Sequence, residues 1–224
     1  MNVSQAFQLF CNNLMKRQTL TTEDNVRYYW LQAMLQQDAS LNNYTLEYPY
    51  VGHNLLCTNI HLQGKELDLL YEGKDANGKD VCFCFEIKFH HCNNKSAPAH
   101  TDMAGSLIND LLRLENISSY KQGSSVRRFL LYVTDDEMDR YLNNNSNVYR
   151  ANLQQFYMGH ANTQLPSIVF QNSPKTFYES ATKSLSLSGL LRVPPIVLLG
   201  TTGSRTKSPS FKNGGCHVRL YEVI

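Results

Sequence analysis

The segment Val81–Phe89, "VCFCFEIKF", constrains the chain more than any other. Val81, Phe83, Phe85, Ile87 and Phe89 alternate with Cys82, Cys84, Glu86, Lys88 and, one step on, His90. Strand side chains point alternately to opposite faces, so this is a strand with one wholly apolar face. Just upstream, Leu67, Leu69 and Tyr71 alternate with Glu66, Asp68, Leu70 and Glu72. The linking "DANGKD" contains Asn77-Gly78, a strong hairpin signal. The two runs therefore form an antiparallel hairpin that carries two carboxylates and an amine within its most apolar stretches.

The turn decides where those charges fall. Residues directly opposite in an antiparallel pair share a face. A two-residue turn at Asn77-Gly78 sets Asp68 across from Ile87, whereas pairing symmetric about Asn77 sets it across from Glu86. The dipeptide favours the first and the apolar pattern the second. Burial fixes register, so the sequence predicts a three- or five-residue loop, or a bulge, with Asp68 and Glu86 roughly 5 Å apart at Cβ.

Carboxylates so close repel unless a proton, a cation or a metal intervenes. Oxygen donors suit Mg²⁺ or Mn²⁺. Lys88 projects beside them, placed to orient or deprotonate a water or to balance charge on a phosphate. The same three residues can also form a cross-strand salt bridge on a solvent-facing surface, an arrangement worth little stability.

Asp68 in "ELD" followed by Glu86 and Lys88 in "EIK" resembles the PD-(D/E)xK nuclease superfamily. The match takes in the hairpin, the helical pattern after it and the apolar strand "RRFLLYVTD", over about residues 20–135. The resemblance implies a restriction-endonuclease-like α/β fold, a mixed β-sheet flanked by helices. It implies that Asp68 and Glu86 bind Mg²⁺ (or Mn²⁺) with the Ile87 backbone carbonyl, and that Lys88 positions the attacking water. Glu23, opening a helix before the hairpin, is the further acidic residue that this superfamily often adds. A carboxylate at a helix N-terminus is also favoured by the dipole alone. The implied substrate is DNA, with RNA left open, and a sequence-specific duplex cutter of this kind is often a homodimer. Leu67 stands where the motif has proline. The helix after the hairpin offers Asn109, Asp110 and Arg113; Asp110 and Arg113 also suit an i,i+3 pair on an exposed face.

The remaining sequence sets the frame. Helical spacing covers Val3–Arg17, and Thr21 or Thr22 is a cap for a second helix through "EDNVRYYWLQAMLQQ". "YTLEYPYV" and "NLLCTNIHL" read as extended segments, "TDMAGSLINDLLRLENISSY" as a helix and "DEMDRYL" as a short one. Beyond Asn143, strands are expected at "PSIVF", "PPIVLLG" and "CHVRLYEVI", and helices at 148–158 and 175–187.

The 224 residues suit one domain, a core at about 20–135 carrying an elaboration at about 136–224. The net charge of +2 excludes little. No apolar run approaches the roughly 18–20 residues of a membrane span. The N-terminus lacks a secretory pattern, and the six cysteines are sparse enough to read as reduced, so a cytoplasmic protein is expected.

"GTTGSRTKSPSFKNGG" is a loop whose Arg205, Lys207 and Lys212 suit phosphate contacts or plain solvation. Cys82, Cys84, His90, His91 and Cys92 raise a zinc reading, but their order lacks the knuckle spacing. Cys84 is expected to line the site, and His90 and His91 to lie at the strand end within reach of phosphate or at the surface.

Overall fold

Two helices open the chain, the amphipathic α1 (Val3–Lys16) and α2 (Glu23–Gln37). The Thr22 hydroxyl accepts from the Asn25 N–H at 3.3 Å and caps α2, satisfying one of the free N–H groups of its first turn. The computed structural model describes residues 1–16, 22–37, 43–52, 54–75, 77–92, 99–121, 124–185, 187, 189–202 and 215–224.

Then come β1 (Tyr44–Pro49), β2 (Leu55–Cys57), β3 (Glu66–Lys74), β4 (Asp80–His90), α3 (His100–Glu115), β5 (Ile117–Tyr120) and β6 (Ser125–Asp135). The last third supplies α4 (Asp136–Leu142), α5 (Val148–Tyr157), β7 (Thr163–Leu165), β8 (Ile168–Phe170), α6 (Lys175–Thr182), β9 (Leu191–Val193), β10 (Ile196–Thr201) and β11 (Cys216–Val223).

The protein is a mixed α/β fold. A seven-stranded sheet runs β1-β3-β4-β6-β11-β10-β7, and β2 with β5 and β8 with β9 form two small sheets. Among the described residues only β4 and β6 pair in parallel, from Val81↔Ser125 to His90↔Thr134, and α3 makes the crossover between them. The other pairs are antiparallel. β11 lies against β6 over eight residue pairs, so the C-terminal third builds the same sheet as the hairpin.

The expected alternation organises both cores. Val81, Phe83, Phe85 and Ile87 join Leu69, Phe129, Leu131 and Val133 beneath α1 and α2. Trp30 is fully buried there, edge-on to Phe10 at 5.7 Å and Phe85 at 5.5 Å. Cys82 and Cys84 face the other core with Leu107, Leu111 and Leu114 of α3. The second face of β4 is thus covered, and the charged residues beyond Cys84 lie at the end of a buried strand rather than on an open sheet.

Several expectations change. "NLLCTNIHL" gives only the short β2 and a 3₁₀ turn at Ile60–Leu62. Helix α3 stops at Glu115, and "ISSY" leaves it to pair with β2. The helix expected over 175–187 ends at Thr182. β7 and β9, three residues each, are too short to carry a periodic signal. Leu67 packs with Leu70 in the α3-side core, not with Leu69 and Tyr71. The ladder with β4 begins only at Leu69, which frees the backbone around Asp68 from strict alternation. None of the six cysteines is in a disulfide. No helix among the described residues is long and apolar enough to cross a membrane.

Helix α3 lies tight against α6 at Gly105. A Cβ there would stand 2.5 Å from the Phe177 carbonyl oxygen and 2.7 Å from Ser180 Cβ. Gly105→Ala gains about 1 kcal/mol in helix propensity, less than a backbone clash of this kind costs. It is expected to lower stability by about 1–2 kcal/mol net, read from the midpoint of urea unfolding. An unchanged or raised midpoint would show that the two helices are not held at this distance.

Candidate active site

The hairpin has the register that burial demands. Its ladder runs from Lys74↔Asp80 to Leu69↔Phe85, symmetric about Asn77, and it ends one step short of Asp68 and Glu86. The loop closes between Asp75 and Lys79, with Asp75 N–H donating to the Lys79 carbonyl at 2.9 Å. The Asp75 carboxylate accepts from Asn77 N–H at 2.8 Å and Lys79 N–H at 2.9 Å. Gly78 takes φ +77°, the left-handed position that lets a three-residue loop end in a bulge. Asn77-Gly78 is a turn signal here, but for the longer loop.

Beyond Phe85, β4 continues without β3, and side chains take over its free edge. The Ile87 N–H donates to Asp68 Oδ2 at 2.7 Å, and the Phe89 N–H to Glu23 Oε2 at 3.2 Å. A residue's N–H and C=O leave a strand on the same side, so the Ile87 carbonyl opens on this edge beside Asp68. Lys88 Nζ lies 3.3 Å from Glu23 Oε2 and 3.2 Å from Asp110 Oδ2. Glu23 is the first residue of α2, and Asp110 lies on the face of α3 turned toward β4. Asp68, Glu86, Lys88 and Glu23 thus meet at one end of the sheet, between two helices.

Three more residues join them, of which the sequence offers only Arg113. Arg27, one turn after Glu23, holds Asp68 Oδ1 at 2.6 Å. The Tyr50 hydroxyl donates to Glu86 Oε1. Arg113 reaches the same oxygen at 3.0 Å, packs over the Tyr50 ring at 4.9 Å and contacts Asp110 at 3.3 Å. The Asp110–Arg113 pair exists, but it is buried against the site and not on an exposed face. Its neighbour Asn109 turns away and donates to the Ala181 carbonyl of α6 at 3.0 Å. The i,i+4 spacing from Glu23 to Arg27 marks one helix face; nothing local marks Tyr50.

The electrostatics follow from burial. Only 2% of Glu86 is exposed, and burial pushes its carboxyl well above the usual range despite the Arg113 guanidinium; Asp68 and Asp110 push the same way. Glu23 is raised by burial, with Lys88 opposing. Burial works against a charged Lys88, but Asp110, Glu23, Glu86 and Asp68 together outweigh it and raise the ammonium above its ordinary value. Arg113 is raised in the same manner. Four carboxylates face three built-in cations, and Glu86 lies deepest.

Oxygen donors from Asp68, Glu86 and the Ile87 carbonyl suit a hard divalent cation. Glu23 does not make a third member of that set. Among the described residues the one trio of Cys, His, Asp or Glu donors within 4.8 Å of one another is Cys92, His100 and Glu137. Glu23 acts through Lys88 and the strand edge instead. Glu66 is exposed and contributes only its carbonyl, to Arg113.

Other expected contributors lie elsewhere. Cys84 is buried in the α3-side core with its sulfur 3.8 Å from that of Cys82, so it packs and does not line the site. His90 is buried between the Tyr132 and Ser106 hydroxyls, each at 3.1 Å, and burial holds its ring well below the ordinary histidine range. It is a neutral core residue out of reach of phosphate. His91 stacks on Phe89, with ring centroids 6.0 Å apart. Arg205, Lys207 and Lys212 lie outside the described residues. No family model, no curated protein and no solved structure matches this chain.

The raised Glu86 carboxyl has a consequence for stability. A carboxyl raised in the folded state contributes stability that is full below its unfolded value, near 4.5, and is lost as pH rises through the folded value. In EDTA, Glu86→Gln is expected to gain stability relative to the wild type as pH rises from about 5 to 8, measured by urea unfolding across pH. A stability difference independent of pH would show that Glu86 is ionised without penalty.

Proposed function

We propose that this protein is a metal-dependent phosphodiesterase acting on DNA, with a PD-(D/E)xK-type site on a restriction-endonuclease-like fold. The observation that carries this is the convergence of Asp68, Glu86, Lys88 and Glu23 at the end of β4 where β3 leaves it. Asp68 reaches β4 by accepting from the Ile87 N–H beside Glu86, and Glu23 reaches Lys88 from the N-terminus of α2.

In this reading Asp68, Glu86 and the Ile87 carbonyl would hold Mg²⁺ or Mn²⁺, which would supply the charge to acidify a water and polarise a phosphoryl oxygen. Lys88, kept protonated by the carboxylates around it, donates a hydrogen bond that aims the water and offsets charge at phosphorus; it is not the base. Glu23 and Asp110 fix its ammonium from two sides. Arg27 and Arg113 bind carboxylates that the ion would take over, which frees both guanidiniums for phosphate oxygens.

Those two ion pairs also support a second reading. A site whose deepest carboxylates already hold arginines can be a non-catalytic nucleic-acid-binding or interaction module, in which Arg27 and Arg113 neutralise Asp68 and Glu86 permanently.

The deciding experiment offers supercoiled plasmid, linear single-stranded DNA and RNA with Mg²⁺, Mn²⁺ or EDTA. Cleavage of DNA is expected with metal only. Lys88→Ala is expected to cut the rate by about 10²–10³-fold, the usual cost of losing one preorganised stabilising group, and Glu86→Ala to abolish it. No cleavage, together with no Mg²⁺ or Mn²⁺ binding by calorimetry, supports the module. Cleavage of RNA alone moves the substrate class.

A further inference from the structure

A second group of donors lies where β4, α3 and α4 meet. Cys92 follows the last residues of β4, His100 opens α3, and Glu137 is in the first turn of α4. The Cys92 sulfur, a His100 ring nitrogen and a Glu137 carboxylate oxygen all lie within 4.8 Å of one another. His100 Nε2 is 3.1 Å from Glu137 Oε1. That nitrogen is nevertheless enclosed and without a hydrogen bond, so proximity is not explained by a well-formed pair.

The surroundings hold the trio in place. The Cys92 N–H donates to Asp135 Oδ2 at 2.6 Å, and Asp135 Oδ1 accepts from Met138 N–H at 2.9 Å as the cap of α4. The Cys92 thiol also hydrogen-bonds Asp135, a contact that a bound ion would have to displace. The His100 ring stacks on Tyr141 at 5.2 Å, and the Tyr141 hydroxyl meets that of Thr101 at 2.9 Å. Around a tetrahedral ion with bonds of about 2.0–2.3 Å, adjacent donors stand roughly 3.3–3.6 Å apart.

We propose that Cys92, His100 and Glu137 bind a zinc ion that joins the end of β4 to the N-termini of α3 and α4. One thiolate, one imidazole and one carboxylate form a borderline-soft set that suits Zn²⁺ and not Mg²⁺. Three protein ligands leave the fourth position to water or an incoming ligand. The ion secures the start of the helix that carries Asp110 and Arg113. The order C-x-C…H-H-C in the sequence contains the right cysteine; its partners are His100 and Glu137, brought in by the fold. This inference stands apart from the proposed nuclease activity.

The test loads the full chain with zinc, dialyses it against excess Mg²⁺ and measures retained metal by mass spectrometry. About one zinc per chain is expected to remain. Glu137→Gln, at a half-exposed position that leaves the fold intact by circular dichroism, is expected to weaken zinc by more than the roughly 10–100-fold that an outer-shell change costs. The cobalt-substituted wild type is expected to show thiolate-to-cobalt charge-transfer absorption that Cys92→Ser lacks. Wild type without retained zinc, equal affinity in Glu137→Gln, or no thiolate absorption in the cobalt wild type each overturns the site. Absorption persisting in Cys92→Ser overturns it too, and points to Cys82 and Cys84. If Cys92→Ser does not fold, the first three measurements decide.

Discussion

The carboxylate of Glu86 lies where the alternation of β4 demands a residue under α3, and an ionised group there must be compensated from within the fold. Leaving a buried charge unpaired costs several kcal/mol, and pairing it recovers that cost only with good geometry. The surrounding structure is arranged accordingly. Tyr50 arrives from the chain after β1, Arg113 from α3, and Asp110 binds both Arg113 and Lys88. Lys88 in turn holds Glu23 at the head of α2, and Arg27 of that helix holds Asp68. One buried carboxylate is therefore the starting point of a chain of charges that ties the sheet to helices on both its faces.

This network also explains why the β3–β4 ladder stops at Leu69↔Phe85. The Asp68 and Glu23 side chains take the edge positions of β4 that a continued ladder would fill, by accepting from Ile87 and Phe89 N–H groups. The edge is thus protected from pairing with another strand. It also presents oxygen atoms in place of a backbone ladder. The polar end of the hairpin is as much a solution to an open sheet edge as a place for chemistry.

The hairpin was legible because two local signals, strict alternation and a turn dipeptide, disagreed about register and burial resolved the conflict. The register centred on Asn77 followed from that, and so did the two faces of β4, although the ladder ends at Leu69↔Phe85 before Asp68 and Glu86 can pair. Helices α1 and α2 were legible from their spacing and the Thr22 cap. Arg27 and Tyr50 were not, because each reaches the site through tertiary placement. Arg113 was offered by the helix after the hairpin, but the sequence alone equally allows a surface i,i+3 pair with Asp110. Leu67 departed from its face because β3 leaves the ladder at Asp68. Zinc-type donors were visible as residue types, but His100 and Glu137 lie on different helices and only the fold brings them to Cys92.

The parallel pairing of β4 with β6 bears on how the site is made. Such a pair cannot form through a tight turn; it waits for the whole crossover through α3 to close. The residues around Glu86 span positions 23 to 113, so nearly all their contacts are distant in sequence. Contacts of that kind are slow to form because loop closure precedes any reward. The hairpin can assemble early on local signals, but its charged end stays uncompensated until α3 docks. The charged end of the hairpin is thus completed only by the long crossover that carries α3 onto β4.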